Sequence, residues 1–203
     1  MGHEEPVQAR LRARAVAVLR AIVQYDFNHI YAIERSAQAC DQDTRYPALA
    51  HLGPDRKSEL VASGDHNLVH AAGYCRPDYI GYALVEDARI CSVSFYCTHL
   101  IYAFNWLWPL GIDELCLLHV ATRAGQAGRG MATQCIRASS ADLMRGGIRR
   151  LTAFIWWNHI ASQRAFVKAG WRHVGYSFAF RILALPRLVI RFRKRSRGQP
   201  HDK

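Results

Sequence analysis

The chain has 203 residues, 50% of them hydrophobic, and its formal net charge is +11 at pH 7. This length and hydrophobic content are typical of one globular domain with a sizeable core, and they exclude an intrinsically disordered chain. The positive charge favours a polyanionic partner or a ligand rich in phosphate. We interpret residues 1–12 as a flexible N-terminus, 13–185 as a single domain and 186–203 as a basic C-terminal tail.

The cysteines and the apolar runs indicate where such a protein would reside. None of the six cysteines forms a Cys-x-x-Cys pair, so neither a zinc site nor another metal site is expected. Nothing suggests a disulfide framework, and a reducing, cytoplasmic location is therefore predicted. The apolar run at 13–23 contains Arg14 and Arg20 and lacks a cleavage site, which argues against a signal peptide.

In the first half of the chain, the residue pattern predicts a helix followed by three strands. Ala13–Val23 fits either a strand or the start of a helix. Asp26–Cys40 has apolar residues at near-helical spacing behind a potential N-cap, Asp26, and is predicted to be a helix. Asp41–Gly64 is polar and is predicted to be a loop with one helical turn. Runs rich in β-branched and aromatic residues predict three antiparallel strands, His66–Tyr74, Tyr79–Glu86 and Arg89–Cys97.

An aromatic segment, Thr98–Gly111, precedes the predicted central strand, Glu114–Val120. The segment fits either a cover over one sheet face or a wall of an acceptor pocket. The remaining pattern alternates between the two periods of regular structure. It predicts a helix at Met131–Met144 ended by Gly146-Gly147, a strand at Arg150–Trp157, a helix at Ala161–Ala169 and a closing strand at Trp171–Leu183.

A glycine-rich loop connects the predicted central strand to the helix that follows it. The stretch Val120–Ala132 contains Gly125, Gly128 and Gly130. Glycines let a backbone turn sharply and bring N–H groups close to a phosphate, while the helix N-terminus adds a positive dipole end. The loop therefore predicts an anion site, although a glycine loop alone also fits an ordinary connection.

Two motifs taken together resemble the GCN5-related N-acetyltransferase (GNAT) superfamily. Its members carry an Arg/Gln-x-x-Gly-x-Gly/Ala loop after the fourth strand and, later, an Asn-x-x-Ala/Ser helix that ends in Lys-x-Gly-Phe. Here the loop reads GQAGRGMA (125–132) and the second motif reads NHIASQRAFVKAGW (158–171). The resemblance covers about residues 112–180. It implies an α/β (α+β) fold with a mixed, mostly antiparallel twisted sheet of six to seven strands, flanked by helices and splayed between the fourth and fifth strands.

The resemblance also implies a ligand and the residues that hold it. The ligand is acetyl-CoA as co-substrate, and the acceptor is a primary amine on a small molecule or peptide that attacks the thioester directly. In this chain Ala127 replaces the usual Arg or Gln, and the family asparagine falls on His159, with Asn158 displaced by one residue. The implied cofactor-binding residues are Leu118, Val120, Gln126, Ala127, Gly128, Arg129, Gly130, Met131, Ala132, Asn158, His159 and Ser162.

Two residues are candidates for the catalytic base. Glu114 lies where the histone-acetylating branch of the family places its glutamate, and period-two alternation puts it on one face with Cys116, Leu118 and Val120. Burial there would desolvate the carboxylate and strengthen it as a base. His119 is the alternative, because imidazole titrates near neutrality, and the same alternation places it on the opposite face.

The acid that would protonate a leaving thiolate is harder to assign. Many family members use a tyrosine at the position that Phe166 occupies here. Tyr176, Tyr102 or water would have to replace it.

Alternative functions remain open at the level of the sequence. One is a GNAT-like module that binds an acyl-CoA or a protein without turnover. Another is a membrane-peripheral acyltransferase acting on a lipid or envelope sugar amine, and the aromatic segment and the basic tail support this alternative. No nucleic acid is expected as a partner, because no recognised motif accompanies the basic residues. A homodimer through an exposed edge strand is possible.

Overall fold

The structure is a computed structural model that describes residues 23–35, 48–102, 108–182 and 188–193. Eight strands and four α-helices lie in this part of the chain, with short 3₁₀ turns between some of them. The strands are β1 (Val23–Glu34), β2 (Ala48–His51), β3 (Tyr79–Glu86), β4 (Arg89–Thr98), β5 (Glu114–Thr122), β6 (Arg150–Trp156), β7 (Arg172–Ile182) and β8 (Leu188–Arg193). The helices are α1 (Lys57–Ala62), α2 (His66–Ala71), α3 (Met131–Arg145) and α4 (Ile160–Lys168).

All eight strands form one sheet in the order β2-β3-β4-β5-β6-β1-β7-β8. Neighbours pair antiparallel except β5 and β6, which are parallel. The mixed, mostly antiparallel sheet flanked by helices is therefore confirmed. Its strand number exceeds the expected six to seven, because β1 forms where a helix was predicted and β8 adds an edge. Counted along the chain, the splay consequently lies between the fifth and sixth strands.

The helix predicted at Asp26–Cys40 is wrong, because β1 occupies most of that range. This strand lies between β6 and β7 in the sheet, and both of its faces are buried at its centre: Ile30 is 0% exposed and Tyr31 is 5% exposed. A strand that is apolar on both faces loses the alternation of a half-buried strand and imitates helical spacing. Of the segment Ala13–Val23, only Val23 lies within the described residues.

The strand predicted at His66–Tyr74 is also wrong, because α2 and a 3₁₀ turn form there. Asp65 caps the helix: one carboxylate oxygen accepts hydrogen bonds from the N–H groups of Asn67 (3.0 Å) and Leu68 (3.3 Å). The residues that α2 buries are Leu68 and Ala71, at helical i, i+3 spacing. The segment predicted as loop before it also contains β2 and α1 within its described part.

The other predicted elements are confirmed within one to two residues at their ends. The termination of α3 at the glycine pair is also confirmed: Gly147 has φ of 102°, and the N–H of Gly146 donates to the carbonyl of Asp142 (3.0 Å). These hydrogen bonds satisfy carbonyls that the last turn of a helix leaves open.

Helices cover both faces of the sheet. On the face that we call the α3 face, α3 and α4 pack on the sheet through a cluster that includes Leu117, Ile136, Leu151, Phe166 and Trp171. On the opposite face, the α2 face, Leu60 and Leu68 pack against Val93, Phe95 and Ala121. Because β5 and β6 are parallel, their carboxyl ends lie at a common edge of the sheet.

The described part of the predicted basic tail is an edge strand. β8 pairs with β7, and its residues Leu188, Ile190 and Phe192 are between 38% and 58% exposed. Residues 194–203 lie outside the described residues, and contact of the tail with a membrane stays a prediction. No helix in the described ranges is both long and apolar enough to cross a bilayer.

Candidate functional site

The central feature of the site is an opening between β5 and β6. Parallel pairing joins Glu114–Leu117 of β5 to Arg150–Ala153 of β6 and then stops, although both strands continue. From Leu118 onward, the backbone groups of β5 that face β6 have no strand partner among the described residues. Backbone N–H and C=O groups require hydrogen-bonding partners, so this stretch is suited to bind a ligand that contains amides.

A β-bulge at Leu118 further reduces the strand pairing of β5. Across the β4–β5 pair, Tyr96 lies opposite Leu117 and Phe95 lies opposite His119, so Leu118 is the extra residue. Leu118 therefore has no register partner in either neighbouring strand. Bulges are enriched next to functional sites, where they re-aim side chains.

The glycine loop follows β5 and exposes its N–H groups. Gly128 and Gly130 have φ of 79° and 80°, a left-handed conformation that glycine adopts without strain. A Cβ atom built on either residue would meet no atom within 4 Å. Within the described ranges, no group accepts a hydrogen bond from the N–H of Gly128, Gly130, Met131 or Ala132, and no side chain caps α3.

These properties fit a phosphate group. Several N–H groups that have no acceptor among the described residues follow one another at the start of a 15-residue helix, whose dipole adds positive potential. The loop and the first turn of α3 would therefore hold a pyrophosphate. Of the residues described, no group of three or more His, Cys, Asp or Glu side chains is arranged to hold a metal ion.

Two residues of the α2 segment fix the start of the loop. The second carboxylate oxygen of Asp65 accepts from the N–H of Ala124 (2.9 Å), and Asn67 Nδ2 donates to the carbonyl of Thr122 (2.9 Å). Burial opposes ionisation of Asp65, but the N–H groups of Ala124, Leu68 and Asn67 outweigh it, and the pKa of Asp65 is lowered. This anchor was not predicted from the sequence; the signal for it was an Asp followed by an apolar residue at helical cap spacing.

The second motif lies at the same edge of the sheet. Asn158 and His159 form an exposed turn after β6, and Ser162 is exposed in the first turn of α4. Gln163 Nε2 donates to the carbonyl of Trp157 (2.8 Å), which closes the end of β6. Because β5 and β6 are parallel, this turn and the glycine loop both follow carboxyl ends. The predicted residues of the glycine loop and of this turn therefore lie at one edge of the sheet, whereas Leu118 and Val120 lie within β5 beside the opening.

Glu114 lies at the other end of β5, where the two strands are still paired. Its carboxylate accepts from the N–H of Gly111 (3.1 Å) and from Arg149 (2.8 Å), and it lies 3.8 Å from Arg150. Four residues of strand, roughly 13 Å, separate it from Leu118. The side chain is 7% exposed, and these contacts favour a structural role at the closed base of the opening.

The prediction that Glu114 and His119 point to opposite faces is wrong, because the bulge shifts the alternation. Cys116 lies opposite Cys97 and His119 opposite Phe95, which puts both on the α2 face together with Glu114. Val120 instead packs against the cluster on the α3 face. A one-residue bulge leaves no clear trace in a sequence pattern.

His119 is therefore on the α2 face beside the opening. Its ring stacks on Tyr74, with centroids 4.4 Å apart and planes 4° apart, and lies 5.6 Å from the ring of His70. Its Nε2 is buried and has no hydrogen-bond partner among the described residues. Burial, with a smaller effect of His70, lowers the pKa of His119. The imidazole is consequently neutral at pH 7 and able to accept a proton.

Of the two tyrosines considered as acids, the structure places Tyr102 at the opening. Its ring stacks on Phe154 (5.9 Å) in a cluster against which Leu118 also packs. Leu118 and Phe154 are the first residues of β5 and β6 beyond the paired stretch. Burial and the neighbouring thiol of Cys116 raise the pKa of Tyr102, so its hydroxyl stays protonated.

Phe166 and Tyr176, the other two residues considered in connection with the acid, lie away from the opening. Phe166 is in the core, 4.9 Å from the ring of Trp171. Tyr176 lies on β7, two strands from β6, where its ring contacts His29 (4.9 Å). Of the aromatic segment, residues 103–107 lie outside the described part, whereas Trp108 and Leu110 are buried.

No protein-family model and no curated protein sequence matches the chain. Solved structures do. One from Novosphingobium aromaticivorans, assigned to the GNAT family of acetyltransferases, is 16% identical with a TM-score of 0.55, over 76% of this chain and 63% of that one. A GCN5-related N-acetyltransferase from Sphaerobacter thermophilus is 9% identical with a TM-score of 0.52, over 90% and 57%.

A Drosophila protein is 14% identical with a TM-score of 0.51, over 89% of this chain and 59% of that one. At such identities the similarity is one of fold. The chain spans between 57% and 63% of the length of these three structures.

Proposed function

Because the chain has the fold of the GCN5-related N-acetyltransferases, we propose that it is an acetyl-CoA-dependent N-acetyltransferase acting on a primary amine of a small molecule or peptide. The observation that carries this proposal is the unpaired backbone at Leu118 directly before an open glycine loop. Coenzyme A offers the matching chemistry, a pyrophosphate followed by a chain of amides.

Most of the proposed binding is done by the backbone. The N–H groups of Gly128, Gly130, Met131 and Ala132 would hold the pyrophosphate, and the backbone groups of Leu118 to Val120 that face β6 would hold the amides. Asn158, His159 and Ser162 flank the other side of the opening. This reliance on N–H groups explains why Ala127 is compatible with the site, since a side chain at that position is not needed for binding.

Coenzyme A supplies an acyl group that is already activated as a thioester, so the protein has to position the amine and move protons. In this proposal, Nε2 of His119 accepts the proton of the attacking amine, because the imidazole is neutral and this buried nitrogen has no hydrogen-bond partner among the described residues. In this proposal the hydroxyl of Tyr102, on the same face of the sheet, donates a proton to the leaving sulfur. Burial raises the pKa of Tyr102, which keeps the hydroxyl protonated but makes it a weaker acid than an exposed tyrosine. Glu114 has a structural role, because its hydrogen bond with Arg149 fixes the closed end of the opening between β5 and β6.

A binding module without turnover is the second candidate. The engagement of Glu114 by Arg149 and the absence of a hydroxyl at Phe166 favour it, since both residues depart from the roles that the resemblance implies. Such a module would bind acetyl-CoA through the same loop. The two candidates are separated by the release of free thiol in the presence of amines.

The loop is tested by calorimetric titration with acetyl-CoA. We expect micromolar binding by the wild type and a loss of at least about tenfold in Gly128→Glu and in Gly130→Glu, because a carboxylate would occupy the phosphate position. Gly147→Glu is the matched control: it has the same charge and a positive φ, in open space at the far end of α3. If the folded wild type fails to bind millimolar acetyl-CoA, the proposal is wrong.

The base is tested by the pH dependence of thiol release with a panel of amines. We expect His119→Gln to lower kcat by about 10²-fold. We also expect the decrease in kcat at acidic pH to disappear from the pH profile of this variant. Because the pKa of His119 is lowered, that loss lies below the usual imidazole value, 6.5, in the wild type.

His70→Gln is the informative control for this experiment. It removes a neighbouring group that disfavours the charged imidazole, so the acidic limb should move to higher pH without a large loss of rate. An active His119→Gln together with an inactive Glu114→Gln would return the role of base to Glu114.

The acid is tested by Tyr102→Phe in the same assay, with Tyr176→Phe as its matched control. We expect Tyr102→Phe to lower kcat by about tenfold or more with little change in the KM for acetyl-CoA, since only the proton donor is lost. Tyr176→Phe should retain wild-type kcat, because that ring lies two strands from β6. Equal rates for all three proteins would contradict a role for Tyr102.

A further inference from the structure

A cleft beside the glycine loop has no role in the function proposed so far. Its volume is about 460 Å³, and it lies between the loop and the β3–β4 turn. Three arginines line it together with two carboxylates and one amide: Arg89, Arg123, Arg129, Glu86, Asp87 and Gln126. Arg129 and Gln126 belong to the glycine loop itself, so the cleft is continuous with the proposed pyrophosphate site.

The side chain of Arg123 is fixed in a position that suits it to bind an anion. Its Nε donates to the carbonyl of Ile90 (2.9 Å), and its backbone N–H donates to the carbonyl of Cys91 (2.9 Å). The two terminal nitrogens of the guanidinium have no acceptor among the described residues. A guanidinium fixed through Nε is preorganised, so it loses little freedom when it binds an oxyanion.

Arg89 and Arg129 differ in their availability. Arg89 is exposed and makes no ion pair with any residue that the structure describes. Arg129 contacts the carboxylate of Glu86 at 3.4 Å and the side-chain oxygen of Gln126. An anion that enters the cleft therefore meets two guanidinium groups that form no ion pair among the described residues, and a third whose carboxylate partner it would compete with. Asp65 also interacts electrostatically with Arg123 and offsets part of its charge.

We infer that this cleft binds the 3′-phosphate of coenzyme A, a phosphomonoester on the ribose next to the pyrophosphate. The inference rests on the proposed function, because the loop must first hold the pyrophosphate. A phosphomonoester carries about −1.5 to −2 charges at pH 7 and three acceptor oxygens. Guanidinium groups match it through paired, charge-assisted hydrogen bonds. The cleft would thus select coenzyme A over ligands that lack this phosphate.

The test compares two ligands that differ only by this group, coenzyme A and dephospho-coenzyme A, by calorimetry. We expect the wild type to bind coenzyme A about tenfold more tightly or better. Arg89→Gln should remove most of this preference, because it should lower the affinity for coenzyme A and leave the affinity for dephospho-coenzyme A unchanged. This variant is preferred because the exposed Arg89 side chain has no hydrogen-bond or ion-pair partner in the part of the chain that the structure describes.

Two further variants sharpen the comparison. Glu86→Gln releases Arg129 and should increase the preference for coenzyme A. Arg145→Gln is the matched control, because it removes the same charge at the other end of α3, where the side chain pairs with Asp142 (3.1 Å). It should leave both affinities unchanged.

The outcomes separate this inference from the proposed function. Equal binding of the two ligands by the wild type would overturn the inference and leave the proposed function intact. An equal loss of affinity for both ligands in Arg89→Gln would also overturn the inference, because Arg89 would then bind the pyrophosphate that both ligands share. If neither ligand binds, the proposed function fails and this assignment fails with it.

Discussion

The site depends on a mismatch between two parallel strands. β5 and β6 pair over four residues and then separate, while each stays hydrogen-bonded to its other neighbour. β6 commits seven residues, Arg150–Trp156, to β1, and β5 follows β4 through a bulge at Leu118. Neither strand is free to close the gap, so the backbone groups at its edge remain available. Unpaired backbone of this kind is costly in a protein interior, which makes a ligand the natural partner.

Other contacts hold the two ends of this opening. At its closed base, Glu114 links the loop at Gly111 to Arg149 just before β6, and so fixes both strands where they begin. At its open edge, Asp65 and Asn67 tie the segment after β5 to α2. Gly128 and Gly130 then present N–H groups for which the described ranges contain no acceptor. The proposed binding would therefore depend on fixed backbone geometry more than on particular side chains, and this agrees with the departures at Ala127 and Phe166.

The sequence could predict the parts of this arrangement that local signals determine. The glycine loop, the helix after it and the second motif are specified by glycines and by clear periodicity, and the structure has them at the predicted positions. β1 could not be predicted, because a strand buried on both faces has no alternation. The faces of His119 and Val120 could not be predicted either, since a single extra residue at Leu118 inverts the pattern beyond it. Asp65 was missed because the segment after it was taken for a strand.

The central claim is that backbone N–H groups of β5 and the glycine loop form the ligand site, and amide hydrogen exchange measures those groups directly. Exchange should be compared in the free protein and in the presence of saturating acetyl-CoA. The account predicts slower exchange at Leu118–Val120 and at Gly128–Ala132, with little change at Gly147 or along β8. Slower exchange elsewhere, with these two stretches unaffected, would show that the ligand binds at another place and would contradict the account.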